Sequence, residues 1–149
     1  MNLITTRQAT PSDLDTLAPL FDAYRQFYGR ASDLDAARQF LRERFNHGES
    51  ALFLAHHGND AVGLAQLYPT FSSVSMARTY VLNDLFVRES ARQLGVARQL
   101  LTAVADYASA LGGVRLSLCT AHSNTVAQSV YQAAGWARDT QFAYFHQPL

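Results

Sequence analysis

Lysine is missing from this chain: its 12 basic residues are all arginine, balanced by 12 acids. Schiff-base chemistry on a lysine and a Walker-type phosphate loop are therefore excluded. Cys119 is the only cysteine, so no intrachain disulfide can form and a reducing compartment is expected. The formal net charge is zero and no basic stripe is visible, which argues against a nucleic-acid partner. No apolar run is long enough to span a bilayer, and residues 1–10 lack the apolar stretch of a signal peptide. The expectation is a soluble, cytoplasmic protein with no membrane partner. No grouping of His, Cys and Asp has metal-ligand spacing, so no metal is expected.

What is present fits one domain over residues 1–149, with 48% hydrophobic residues to build a core. A first strand is read over residues 3–9. Thr10-Pro11-Ser12-Asp13 then caps a helix carrying Leu14, Leu17, Phe21, Tyr24 and Tyr28, closed by Gly29. Pro19 is expected to kink or split it. A second helix is expected to start at Ser32, with Asp35 in the capping-box position, and to end at Gly48. Residues 51–56 and 61–68 read as a hairpin turning at His57-Gly58-Asn59-Asp60. Residues 71–75 read as a polar loop that could form a lip over a cleft. A strand over 80–87 feeds a helix from Gly95, ending near Gly112-Gly113, and a further strand is read over 114–120. Ser123 or Asn124 can cap a last helix ending at Gly135, and the alternation from Trp136 through Phe142, Tyr144 and Phe145 predicts final strands. Hairpin strands combined with crossover helices imply a mixed, mostly antiparallel sheet covered by helices, an α/β or α+β layered domain.

The residues around 80–101 carry the first chemistry. A strand that turns into a helix through Arg92-Gln93-Leu94-Gly95-Val96-Ala97 leaves backbone N–H groups unpaired, as a phosphate cradle requires. The same glycine and alanine also suit a tight turn with close helix packing, and on the turn alone both readings stand. Asp84 interrupts an apolar strand. A buried carboxylate costs several kcal/mol unless paired, so it either meets an arginine such as Arg78 or Arg115 or serves a substrate. Tyr131 lies beside Ala127, Val130 and Ala134 at helical spacing and reads from the residues as a packing tyrosine. Asn124 reads as an N-cap. Cys119 reads as a small buried hydrophobe, His122 as a loop histidine, and His56 and His57 as solvated residues beside a turn.

Two of these patterns, in order, resemble a known family. Arg92-x-x-Gly95-x-Ala97 after the strand ending at Val87 is similar to motif A of the GNAT N-acetyltransferase superfamily. Asn124, Ala127, Tyr131 and Gly135-Trp136 match its second signature. The resemblance covers nearly the whole chain and implies an acyl-CoA N-acyltransferase fold, with two central strands that splay apart and helices on both faces. It implies acetyl-CoA as cosubstrate. Its pantetheine arm would pair with backbone groups of Leu85, Phe86 and Val87, and its pyrophosphate would be held by Arg92, Gln93, Leu94, Gly95, Val96 and Ala97, with Asn124 nearby. Gln93 stands where the family often has glycine, which a backbone cradle tolerates if its φ and ψ are ordinary. Tyr131 would assist departure of the CoA thiolate. Tyr24, Tyr28, Asn83 and Asp84 would contact the acceptor, with Phe27 and Phe71 as further candidates, and Asp84 would bind the amine or take its proton. The strand is also similar to that of spermidine/spermine N-acetyltransferases, but Asn83 replaces a glutamate there and cannot accept a proton.

The function expected is acetyl transfer to a primary amine, a small molecule first, by direct attack in a ternary complex. The alternatives are a protein acetyltransferase acting on an N-terminus or lysine, and a non-catalytic acyl-CoA sensor. Homodimers through the late strands are frequent in the family and are allowed by the resemblance.

Overall fold

The computed structural model describes residues 3–149. The chain divides into two compact units, Met1–Cys119 and Thr120–Leu149. The first holds a five-stranded sheet in the order β1 (Ile4–Gln8), β2 (Ala51–His57), β3 (Asp60–Ser72), β4 (Ala77–Val87) and β5 (Leu116–Ser117). Every neighbouring pair is antiparallel except β4 and β5, so the sheet is mixed, as the alternation of hairpins and a crossover helix requires. Three helices belong to this unit: α1 (Leu14–Phe27), α2 (Leu34–His47) and α3 (Val96–Ala110).

The apolar stripes of α1 and α2 close on one face of the sheet, where Leu17, Leu20, Leu41, Leu52, Leu54 and Leu64 form a buried cluster. The opposite face receives α3. Its Tyr107 ring lies 5.3 Å from Phe53 and 6.0 Å from Tyr80, both edge-on. Gly63 on β3 lets α3 come close, because an added Cβ would lie 3.2 Å from Val96 and 3.3 Å from Leu100.

β4 changes faces partway along its length. Its register with β3 runs Gly63↔Val87 through Gln66↔Asp84, then skips Asn83 and resumes at Leu67↔Leu82. That bulge at Asn83 leaves Tyr80 on the α3 side and turns Phe86 to α1, where its ring lies 6.2 Å from that of Tyr24. Asp84 shares Phe86's side by the period of two. β5 pairs with β4 only at Tyr80↔Leu116 and Val81↔Ser117. The strand expected over 114–120 therefore shrinks to two residues, because the bulge turns β4 away just beyond Val81.

Local chemistry moved several other boundaries. Pro19 neither splits nor ends α1. It lies on the exposed side, where the carbonyl deprived of its donor faces water. Asp33, not Ser32, caps α2, its side chain accepting from the Ala36 N–H at 3.1 Å. Ser32 instead donates to Asp22 at 2.7 Å. Residues 71–75 are not a separate loop, since β3 continues to Ser72 and the chain turns at the hairpin tip.

The second unit contains α4 (Thr125–Ala133), capped by Asn124, whose side chain accepts from the Ala127 N–H at 3.3 Å. Gly135, at φ +94°, ends it. The final strands expected after Trp136 do not form. The Asp139 carboxylate accepts from the N–H groups of Gln141 and Phe142 at 2.8 and 3.1 Å, a local turn that competes with extended pairing. Among the described residues, no helix is long and apolar enough to cross a membrane.

Asp22 ties the end of α1 to the start of α2. It is buried and accepts from Ser32, the Asp33 N–H at 2.8 Å and Gln26 at 3.1 Å. The Ser32 bond, then the Asp33 N–H, hold its pKa below the usual carboxylate value, so the stability it supplies is present above pH ~4 and is lost as pH falls through the lowered value. Asp22→Ala should cost about 2 kcal/mol at pH 7, the scale of charge-assisted bonds lost with donors left unpaired. Urea unfolding at pH 7 and pH 3 should show the gap between wild type and variant narrowing in acid.

Candidate active site

The open edge of β4 and the turn after it define one side of the site. Beyond Val81, β4 keeps its pairing with β3 but has no strand on its other edge among the described residues. The Arg88 N–H donates to Val62 at 2.8 Å, and the Phe86 carbonyl is aimed at β3, 3.0 Å from where a Cβ on Gly63 would stand. By the alternation of an antiparallel ladder, the backbone groups of Leu85 and Val87 turn to the open edge. Phe86 therefore does not offer its backbone there, which corrects the expectation that all three would. The Val87 carbonyl accepts from Arg92 Nε at 3.1 Å, while the Arg92 guanidinium lies 5.5 Å from the centre of the Phe27 ring. Ala23, Phe27, Phe86, Arg88, Ser90 and Arg92 border an open pocket of about 630 Å³ here.

The turn itself leads into α3. Gly95 is its N-cap at φ +81°, and the first helical bond runs from the Gln99 N–H to the Gly95 carbonyl at 3.1 Å. The N–H groups of Gln93, Leu94, Gly95, Val96 and Ala97 have no backbone acceptor among the described residues. Those five donors and the positive end of α3 suit a pyrophosphate. Gln93 does not have the ordinary backbone expected of it: its φ is +64°. A non-glycine residue in that region carries a steric cost, which explains why glycine suits this position.

Asp84 is the unusual charge. It is 5% exposed, and neither Arg78 nor Arg115 pairs with it; no ion pair involves it among the described residues. Its donors are neutral: Gln66 Nε2 at 2.6 Å on one oxygen and Asn83 Nδ2 at 3.1 Å on the other. Burial pushes its pKa up, while hydrogen bonds from Gln66, Tyr24 and Asn83 pull it down, and the net direction is upward. The Tyr24 hydroxyl also donates to the Asn83 carbonyl at 3.4 Å, and the Tyr28 ring lies 5.1 Å from that of Tyr24. Tyr68 on β3 senses the same carboxylate. Burial first, then Asp84, raises its pKa to about 12, so it stays neutral at physiological pH.

Tyr24, Tyr28, Asn83 and Asp84 thus share one end of β4, with Leu85 and Val87 next along it. Asn124 and Tyr131 belong to the second unit, where Tyr131 is half-buried on α4 with its ring 6.1 Å from Trp136. Two expectations fail elsewhere. Phe71 lies near the tip of the β3–β4 hairpin and is 67% exposed, and Cys119 is exposed rather than buried. Sequence reading missed Gln66, which looks like one polar residue in an apolar strand. Its signal was the same as that of Asp84, a polar side chain on a buried face, and the hairpin register places the two opposite each other.

Replacing Gln93 with glycine removes the steric cost but adds freedom to the unfolded chain, for a net gain of roughly 0.5–1 kcal/mol. Gln93→Val should lose stability, because a branched side chain fits that region worst. Thermal unfolding of the two variants should bracket the wild type.

Comparisons with known proteins bear on the family and the fold. The sequence profile of the Acetyltransferase (GNAT) family matches residues 17–136. The uncharacterized N-acetyltransferase YhfO of Bacillus subtilis (strain 168) is 48% identical over 139 residues, 93% of this chain and 93% of that protein. A crystal structure of "a probable acetyltransferase" superposes with a TM-score of 0.92 at 40% identity, covering 97% of each chain. An aminoglycoside N-acetyltransferase in complex with CoA shares the fold, with a TM-score of 0.82 at 24% identity over 100% of this chain and 97% of its own. With a family match over most of its length and a near-full-length relative at 48% identity, this chain belongs to the GNAT acetyltransferase family.

Proposed function

We propose that residues 1–149 act as one N-acetyltransferase domain that moves the acetyl group of acetyl-CoA to a small primary amine in a ternary complex. The observation that carries the acceptor class is Asp84, a buried carboxylate with neutral donors and no cation, beside the open edge of β4. An ammonium would supply the missing charge. The CoA-bound neighbour is named for aminoglycosides, small molecules that bear such amines.

Acetyl-CoA supplies the activated thioester. The five free N–H groups of Gln93 to Ala97 would hold its pyrophosphate, and the outward groups of Leu85 and Val87 would pair with its pantetheine arm. Arg92 must then give up the Val87 carbonyl, leaving its guanidinium free for a phosphate. On the acceptor side, an alkylammonium with a pKa near 10.4 needs ~4.6 kcal/mol to become a nucleophile at pH 7. Asp84 can hold the cation and take its proton, directly or through a water; Asn83 cannot. The Leu85 N–H is the donor assigned to the carbonyl oxygen as negative charge develops there. Tyr131 is assigned to the leaving thiolate. Its ordinary pKa of about 10 against ~8.5 for a thiol favours hydrogen bonding first and proton transfer late.

A panel of primary amines with acetyl-CoA, followed by free-thiol release, tests the reading. Tyr131→Phe should lower kcat by ~100-fold or more with CoA binding by calorimetry unchanged. Asp84→Asn should lower kcat/KM for the amine while leaving CoA affinity intact. A wild-type chain that binds CoA but releases no thiol with any amine, amino acid or peptide would be a sensor, not this enzyme.

A further inference from the structure

We propose that Gln66, steadied by Ser50, is a positioning residue that fixes the orientation and charge of the Asp84 carboxylate. The inference rests on the reading of Asp84 as the acceptor's group. Gln66 is wholly buried on β3, directly opposite Asp84 in register. Both ends of its amide are used: Nε2 donates to Asp84 Oδ2 at 2.6 Å, and Oε1 accepts from Ser50 Oγ at 2.7 Å. An ionised carboxylate can only accept, so the amide must turn its NH₂ to Asp84 and its oxygen to Ser50. The carboxylate thus sets the orientation of the amide, and the Ser50 hydroxyl, just before β2, holds it by donating to the oxygen.

The consequence is electrostatic as well as geometric. Groups facing Asp84 are Tyr24 from α1, Tyr68 from β3 and the neighbouring Asn83, none of them cationic. Arg44 of α2 acts on Tyr68 and is held by Glu49 at 3.2 Å. Burial alone would drive Asp84 to its protonated form, which can neither hold an ammonium nor take a proton. The Gln66 bond is short at 2.6 Å, and that donor opposes burial most strongly. It occupies one lone pair of Oδ2, Asn83 and Tyr24 take others, and what remains is open to the acceptor. Ser50 borders a second pocket of about 470 Å³, so the support for Asp84 reaches from the site to the far side of β2.

The test needs no acceptor. Full-length protein labelled at the aspartate carboxyl carbon is titrated by NMR, and Asp84 is assigned from the signal lost in Asp84→Asn. Gln66→Leu should raise the Asp84 midpoint by about one pH unit or more, and Ser50→Ala should raise it by a smaller amount in the same direction. Should Gln66→Leu fail to fold, Ser50→Ala decides alone, because its side chain sits at the margin of the core. Midpoints within about 0.3 unit of wild type in the folded variants would overturn the proposal. Kinetics separate it from the parent reading. With an amine found in the panel, the acid limb of kcat/KM should move with the NMR midpoint. An NMR shift with an unmoved limb would sustain the Gln66–Asp84 coupling and instead overturn the assignment of Asp84 to the acceptor.

Discussion

Removing a carboxylate from water costs several kcal/mol unless donors replace the lost hydration, and the first unit is arranged around such a group. Asp84 is reached from three directions: Gln66 across the ladder, Asn83 beside it, and Tyr24 from α1. Each direction imposes a demand on the fold. The ladder must bring Gln66 opposite Asp84, so the β3–β4 register is fixed. The helix must lie close enough for its tyrosine to reach the strand, so α1 is anchored through Asp22 and the head of α2. Neutral donors balance the charge without cancelling it. Such a site remains attractive to a cation, whereas a paired arginine would have closed it.

The turn into α3 follows a different rule. Here the unpaired groups are backbone N–H donors, and side-chain identity matters through the conformations it permits. Two residues with positive φ, Gln93 and Gly95, bend the chain where its N–H groups lack backbone acceptors. One of them is strained, a feature found where function over-determines the backbone. In the proposed reading, the acceptor end is specified by side chains and the cosubstrate end by main chain.

Much of this was legible in the sequence, for reasons that can be named. The helices carry continuous apolar stripes and explicit stops at Gly29, Gly48 and Gly135, and the hairpin between β2 and β3 turns on Gly58, so their order and type followed from period and punctuation. The Arg92–Ala97 turn and the Asn124–Trp136 pattern identified the family in the right order. What could not be read depended on contacts between distant residues. The cap at Asp33 rather than Ser32 reflects Asp22 claiming the serine hydroxyl from 10 residues away. The missing late strands reflect Asp139 satisfying backbone donors locally. The inward turn of the Phe86 carbonyl and the conformation of Gln93 are matters of register and dihedral angle, to which composition is blind. Gln66 escaped notice because one polar residue in an apolar strand has no meaning until its partner is known.

The bulge at Asn83 has a consequence for how this strand can vary. One additional residue makes β4 two half-strands of opposite parity: before it, even-numbered side chains answer to α3, and after it, to α1 and α2. A substitution at a given parity is therefore screened by a different layer of the protein in each half. Because Asn83 is the surplus residue, deleting it would keep Asp84 opposite Gln66 and Leu82 opposite Leu67, so the strand would straighten with both sets of side chains still on their own faces.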